Sequence, residues 1–187
     1  MRIAIAGGTG MVGRRITEAA RERGHDTAVL SRREGVDVLT GQGLDAALEG
    51  SDVVIDALNI TTQNARKATE FFTATSRNLL KAEQRAGVGH HVLLSIVGLE
   101  AADAAYYAGK LAQERLVEAS ALPHTIARTA QFHEFAGQII AQTTLGPLTL
   151  APRMLSRPVA AREVGHHLVD LAAVSYTHLT LPTNREV

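Results

Sequence analysis

Seven residues near the start of the chain, Gly7-Gly8-Thr9-Gly10-Met11-Val12-Gly13, put glycines at the first, fourth and seventh positions of one loop. The apolar run Ile3-Ala4-Ile5-Ala6 ahead of them reads as a buried strand, and the stretch 10–23 behind them as a helix closed by Gly24. In that setting each glycine has a chemical reason. Gly7 permits a tight turn, Gly10 lets the backbone approach a pyrophosphate, and Gly13 lets the helix pack closely on the strand. Thr9, Met11 and Val12 complete the loop. The helix start contributes unpaired N–H groups and partial positive charge, which suit a phosphate. The expectation is a dinucleotide site.

Which dinucleotide should be set about 20 residues on, at the end of the second strand, where an acidic residue would bond the ribose of NAD. Ser31-Arg32-Arg33 stands there, with no acid before Glu34. Guanidiniums are shaped to pair with phosphate oxygens. NADP(H) is therefore expected over NAD(H); the competing reading makes both arginines solvated loop residues.

A second constellation lies further along. Tyr106 and Lys110 are four residues apart, hence on one face of a helix. Ser95 closes an apolar strand-like run, at the carboxyl end where open α/β sheets bind their ligands. Alternatives stay open here: Tyr107 is a second hydroxyl, Gly109 weakens the helix, and Glu114 offers Lys110 a plain ion pair. His133, behind Gln131 and Phe132, could wall a pocket, but a lone histidine is more often packed or solvated. His90-His91 and His166-His167 are adjacent pairs whose members do not face each other, so no metal site is expected.

These residues need a scaffold, and the rest of the chain supplies one. Apolar runs at 3–6, 27–30, 36–39, 53–58, 91–96 and 125–128 read as strands. They alternate with helical stretches at 10–23, 44–49, 65–86 and 106–120. Segments 132–142 and 162–173 read as helical, and 147–150 as extended. The pattern predicts an α/β Rossmann-type doubly wound parallel sheet. Its 187 residues, 45% of them hydrophobic, suffice for one core. Lys plus Arg and Asp plus Glu both number 19, which argues against a nucleic-acid or anionic-membrane surface. The absence of cysteine excludes disulfides and thiolate chemistry. With no signal-like or membrane-spanning run, a cytoplasmic protein with a small-molecule substrate is expected.

The composition shifts at the end. Residues 174–183, Val-Ser-Tyr-Thr-His-Leu-Thr-Leu-Pro-Thr, match a translated sequencing adapter. The expectation is that 174–187 is an adapter-derived tail and that native sequence stops near Ala173.

Taken together, the motifs resemble the atypical short-chain dehydrogenase/reductases, specifically their NmrA-like NAD(P)H-binding group. The resemblance rests on Gly-Gly-Thr-Gly-x-Val-Gly at 7–13, Asp56-Ala57-Leu58-Asn59, Ser95, Tyr106-x-x-x-Lys110 and Arg128-x-x-Gln131-Phe132-His133. It implies a Rossmann domain over 1–173 with a small, partial C-terminal substrate lobe from about residue 129. It also implies roles. Tyr106 would exchange the substrate proton, Lys110 would lower the tyrosine pKa and bond the nicotinamide ribose, and Ser95 would polarise a substrate carbonyl. Asn59 would border the cofactor ribose. Three functions fit: an NADP(H)-dependent reductase of a small carbonyl, quinone or similar acceptor; a non-catalytic NADP(H)-binding redox sensor; or a scaffold that only retains the fold.

Overall fold

The computed structural model describes residues 1–62, 64–101, 105–134, 144–145, 148–149 and 158–174. Five parallel strands, β1 (Arg2–Ala6), β2 (Asp26–Leu30), β3 (Val53–Asp56), β4 (His90–Ile96) and β5 (His124–Thr129), form one sheet in the order β2-β1-β3-β4-β5. Helices α1 (Met11–Glu22), α2 (Leu44–Leu48), α3 (Ala65–Ala86), α4 (Ala105–Glu118) and α5 (Ala161–Ala173) connect and cover it. Short strands β6 (Thr144–Leu145) and β7 (Leu148–Thr149) pair antiparallel beyond β5.

The sheet is buried on both faces, as parallel sheets are. On one face Ile3, Ile5, Ile55, Val92 and Leu94 pack against Ile16 of α1 and Leu168 of α5. On the other, Ala4, Ala6 and Val54 meet Leu44 and Leu48 of α2 and Leu79 of α3. Leu93 joins Leu80 and Val117 in a smaller cluster under α3 and α4. Helices on both faces make the sheet doubly wound. The chain leaves β1 toward β2 on one side and returns to β3 on the other, so the strand order reverses at β1, where α/β sheets open a ligand crevice.

Several boundaries follow the sequence closely. The side chain of Asn64 accepts from the Lys67 amide and starts α3, and Gly87 ends it at φ +71°. Two expectations are corrected. Residues 36–39 form no strand among the described elements. Their alternation reflects burial of Val36 and Val38, while the Asp37 carboxylate takes the Leu39 amide and Asn78 of α3 bonds the carbonyls of Val38 and Leu39. The strand expected through Leu58 ends at Asp56, whose own carboxylate takes the Leu58 amide at 2.9 Å and pulls the chain off the ladder.

Gly109, expected only to weaken α4, has a packing role. A Cβ there would lie 2.7 Å from the backbone of Ala68, so α4 approaches α3 closely at this point. The expected helix over 132–142 falls outside the described residues beyond Glu134, and so does the tail beyond Val174. Among the described residues no helix is long and apolar enough to cross a membrane.

Candidate functional site

The glycine loop sits at the strand-order reversal. Gly7 adopts φ +78°, and a Cβ on it would fall 2.7 Å from the Ala57 carbonyl oxygen just past β3. A Cβ on Gly8 would meet the Val29 side chain of β2 at 2.9 Å, and one on Gly13 would meet the Gly7 carbonyl oxygen at 2.1 Å. Gly13 thus lets α1 close on the loop immediately beyond β1. The Gly10 amide donates to Gly7 at 2.8 Å, and Gly10 caps α1 without a side-chain acceptor or an acidic residue in the first turn. The positive end of the helix is left for an external anion. Val12 is buried and Met11 packs on the core, so these two face inward.

Beside the loop lies a cleft of about 670 Å³, bordered by Gly8, Thr9, Arg14, Ser31, Arg32 and Arg33 among others. Arg32 and Arg33 occupy one exposed 3-10 turn that follows β2. The Ser31 hydroxyl is buried and has no hydrogen-bond partner among the described residues. Such orphaned groups are uncommon and point to a missing acceptor.

The second constellation converges on the α3/α4 face at the carboxyl end of the sheet. Tyr106 donates its hydroxyl proton to Asn59 Oδ1 at 2.7 Å, and the same oxygen accepts the Ile60 amide at 2.8 Å. Two residues expected to serve catalysis and cofactor separately are therefore joined. Tyr106 also stacks edge-on against Phe72, with ring centroids 5.6 Å apart. Lys110 is almost wholly buried. Its ammonium donates to the Leu94 carbonyl (2.9 Å) and to Gln113 Oε1 (2.8 Å) and lies 4.8 Å from the centre of the Phe72 ring. Gln113 in turn donates to Asp56 Oδ2 at 2.9 Å. The Ser95 hydroxyl is buried at the end of β4 and has no partner among the described residues.

Electrostatics separate these groups. Burial, and then the neighbouring Tyr107, push the Tyr106 hydroxyl up to about 12. Burial brings Lys110 down to about 8, against the pull of the Asp56 and Glu114 carboxylates. The alternative ion pair between Glu114 and Lys110 does not form among the described residues. Glu114 takes the guanidinium of Arg128 in a two-pronged bond at 2.6 and 3.0 Å, and Glu100 meets the same guanidinium at 2.9 Å.

Gln131, Phe132 and His133 run alongside residue 159: Gln131 and His133 bond its backbone, and Phe132 packs on the core. Glu134 accepts the Ala161 amide and caps α5. His91 is held by Glu83 at 2.9 Å, and His90 meets Thr125 at 3.1 Å. Sequence reasoning passed over Arg14 and Gln113. The signal for Arg14 was its place directly behind Gly13. Gln113 gave none, because its partners come from β3 and from its own helix.

A family model described as NAD(P)H-binding matches residues 7–173. The chain belongs to this NAD(P)H-binding family. Over 111 residues it is 30% identical to the photosystem II assembly factor Ycf39 of Synechocystis sp. (strain ATCC 27184 / PCC 6803 / Kazusa). That stretch is 52% of this chain and 34% of the relative, so the match spans about a third of the relative's length. Among solved structures the fold is similar to MoeE5 in complex with UDP-glucose and NAD (TM-score 0.76, 19% identity, 93% of this chain and 72% of that one). It is also similar to the Citrobacter sp. triphenylmethane reductase complexed with NADP(H) (TM-score 0.69, 17% identity, 94% of this chain and 67% of that one). The expected NAD(P)H-binding family is thereby shown, and the likeness to these structures bears out the Rossmann-type sheet.

The residues fit the cofactor of an NAD(P)H-binding family member. The cradle at Gly7, Gly8 and Gly13 has no room for side chains, the start of α1 carries no counter-charge, and the Ser31 hydroxyl awaits an acceptor.

Proposed function

We propose that the protein is an NADP(H)-dependent oxidoreductase acting on a small carbonyl, quinone or similar acceptor. The observation that carries this reading is the glycine cradle opening onto a cleft lined by Ser31, Arg32 and Arg33. Gly7, Thr9, Gly10, Met11, Val12 and Gly13 would hold the pyrophosphate, chiefly through backbone amides at the start of α1. Ser31, Arg32 and Arg33 would take a 2′-phosphate, and Asn59 and Lys110 would border the nicotinamide ribose.

When bound, the cofactor supplies the hydride. The chain supplies the proton and the polarisation. Ser95, whose hydroxyl has no partner among the described residues, would polarise the acceptor oxygen by donating a hydrogen bond to it, and Tyr106 would deliver the one proton that completes reduction of a carbonyl. Asn59 orients the Tyr106 hydroxyl. A positive charge at Lys110 favours the tyrosinate that remains.

One observation favours a second reading, a non-catalytic NADP(H)-binding redox sensor. The Tyr106 hydroxyl is pushed up to about 12 and Lys110 is committed to Leu94 and Gln113, whereas acid–base work near neutrality needs a lower tyrosine pKa. Consumption of NADPH with a panel of quinones and aldehydes separates the two. The reductase reading expects turnover in the wild type, with a loss of at least about a hundredfold in Tyr106→Phe while NADPH still binds. Tight binding without consumption would establish the sensor, and unchanged turnover in Tyr106→Phe would overturn the catalytic assignment.

A further inference from the structure

We infer that Arg14, on the first turn of α1, is a specificity-determining residue for the 2′-phosphate, the cation of the cleft that is anchored on the glycine loop itself. The inference rests on the NADP(H) reading above. Arg14 is exposed, lines the cleft together with Ser31, Arg32 and Arg33, and comes from a different element than they do. Its Nε donates to the Thr9 carbonyl at 2.9 Å, inside the glycine loop itself. That bond fixes the guanidinium plane beside the loop and leaves both terminal nitrogens without a partner among the described residues.

A phosphate monoester carries close to two negative charges at neutral pH and accepts paired N–H bonds from a planar guanidinium. Arg32 and Arg33 have no side-chain hydrogen bond or ion pair among the described residues, so they must lose rotamer freedom when a phosphate arrives. Arg14 has already lost part of it to Thr9. Preorganisation of this kind lowers the cost of binding. The cleft also holds Arg21, Glu18 and Glu34. Arg21 is held by a bond of the same kind, its Nε donating to the Thr27 hydroxyl at 3.0 Å, but that partner lies at the amino end of β2, away from the glycine loop, whereas Arg14 is held on the loop itself; Glu18 is paired with Arg15 at 2.8 Å.

Equilibrium titrations of wild type and Arg14→Ala with NADPH, NADH, adenosine 2′,5′-bisphosphate and 5′-AMP test this. Arg14→Ala should weaken NADPH and the bisphosphate by about tenfold to a hundredfold and NADH and 5′-AMP by less than about threefold. Unchanged melting of the variant without ligand would show that the exposed site tolerates the change. Equal weakening of NADPH and NADH would overturn the inference, making Arg14 a prop for the glycine loop. So would a wild-type NADPH preference that survives in the variant, which leaves the NADP(H) reading standing on Arg32 and Arg33. Equal wild-type affinities for NADPH and NADH would overturn both.

Discussion

At Gly13, one methyl group is a probe of how closely α1 and the loop beyond β1 approach each other. A Cβ there would lie 2.1 Å from the Gly7 carbonyl oxygen and 2.6 Å from Gly8 Cα, both backbone atoms that cannot swing aside. Gly13→Ala should cost about 2–3 kcal/mol, a melting shift of about 5–10 °C for a chain of this size, together with at least a tenfold loss of NADPH affinity. Melting and cofactor binding unchanged from wild type would contradict the cradle. The glycines were legible in the sequence because positive φ and close approach are needs that only glycine meets. The arginines were legible because their position behind β2 is fixed by local spacing. The bonds from Tyr106 to Asn59 and from Gln113 to Asp56 were not, since each joins segments dozens of residues apart.

The α3–β4 pairing carries a pH dependence of its own. His91 on β4 and Glu83 on α3 are both fully buried and 2.9 Å apart. Burial alone would push the His91 imidazole down. The Glu83 carboxylate, its hydrogen bond and the charge of Asp56 outweigh burial and hold His91 above its ordinary value. A histidine raised in this way contributes stability that is fully present below its unfolded value, about 6.5, and is lost as pH rises through the folded one. The stability difference between wild type and His91→Gln, measured by denaturant unfolding, should be largest near pH 6 and shrink through alkaline pH. A pH-independent difference would contradict the pair. His90 moves oppositely, pushed down to about 4 mainly by burial and further by the charges of His91 and His124, and loses stability as pH falls from 6.5, a loss that His91→Gln reduces at acid pH. Elements with local end signals, such as α3 with Asn64 and Gly87, were legible to the residue. Residues 36–39 were not, because alternating burial beneath α3 mimics strand periodicity.

For the molecule as a whole, the doubly wound sheet follows from alternating apolar runs and helical stretches, and its strand-order reversal brings the loop after β1 against the turn after β3. The cleft beside that loop draws on α1 and β2 together, and the central claim is that it is built for a phosphorylated ribose. Equilibrium titration of the intact chain with NADPH and with NADH, at one ionic strength, tests this most directly. NADPH should bind at least about tenfold more tightly than NADH, and the gap should narrow as salt is raised, since the contacts are charge-assisted. Equal affinities at low salt, or tighter binding of NADH, would contradict the account.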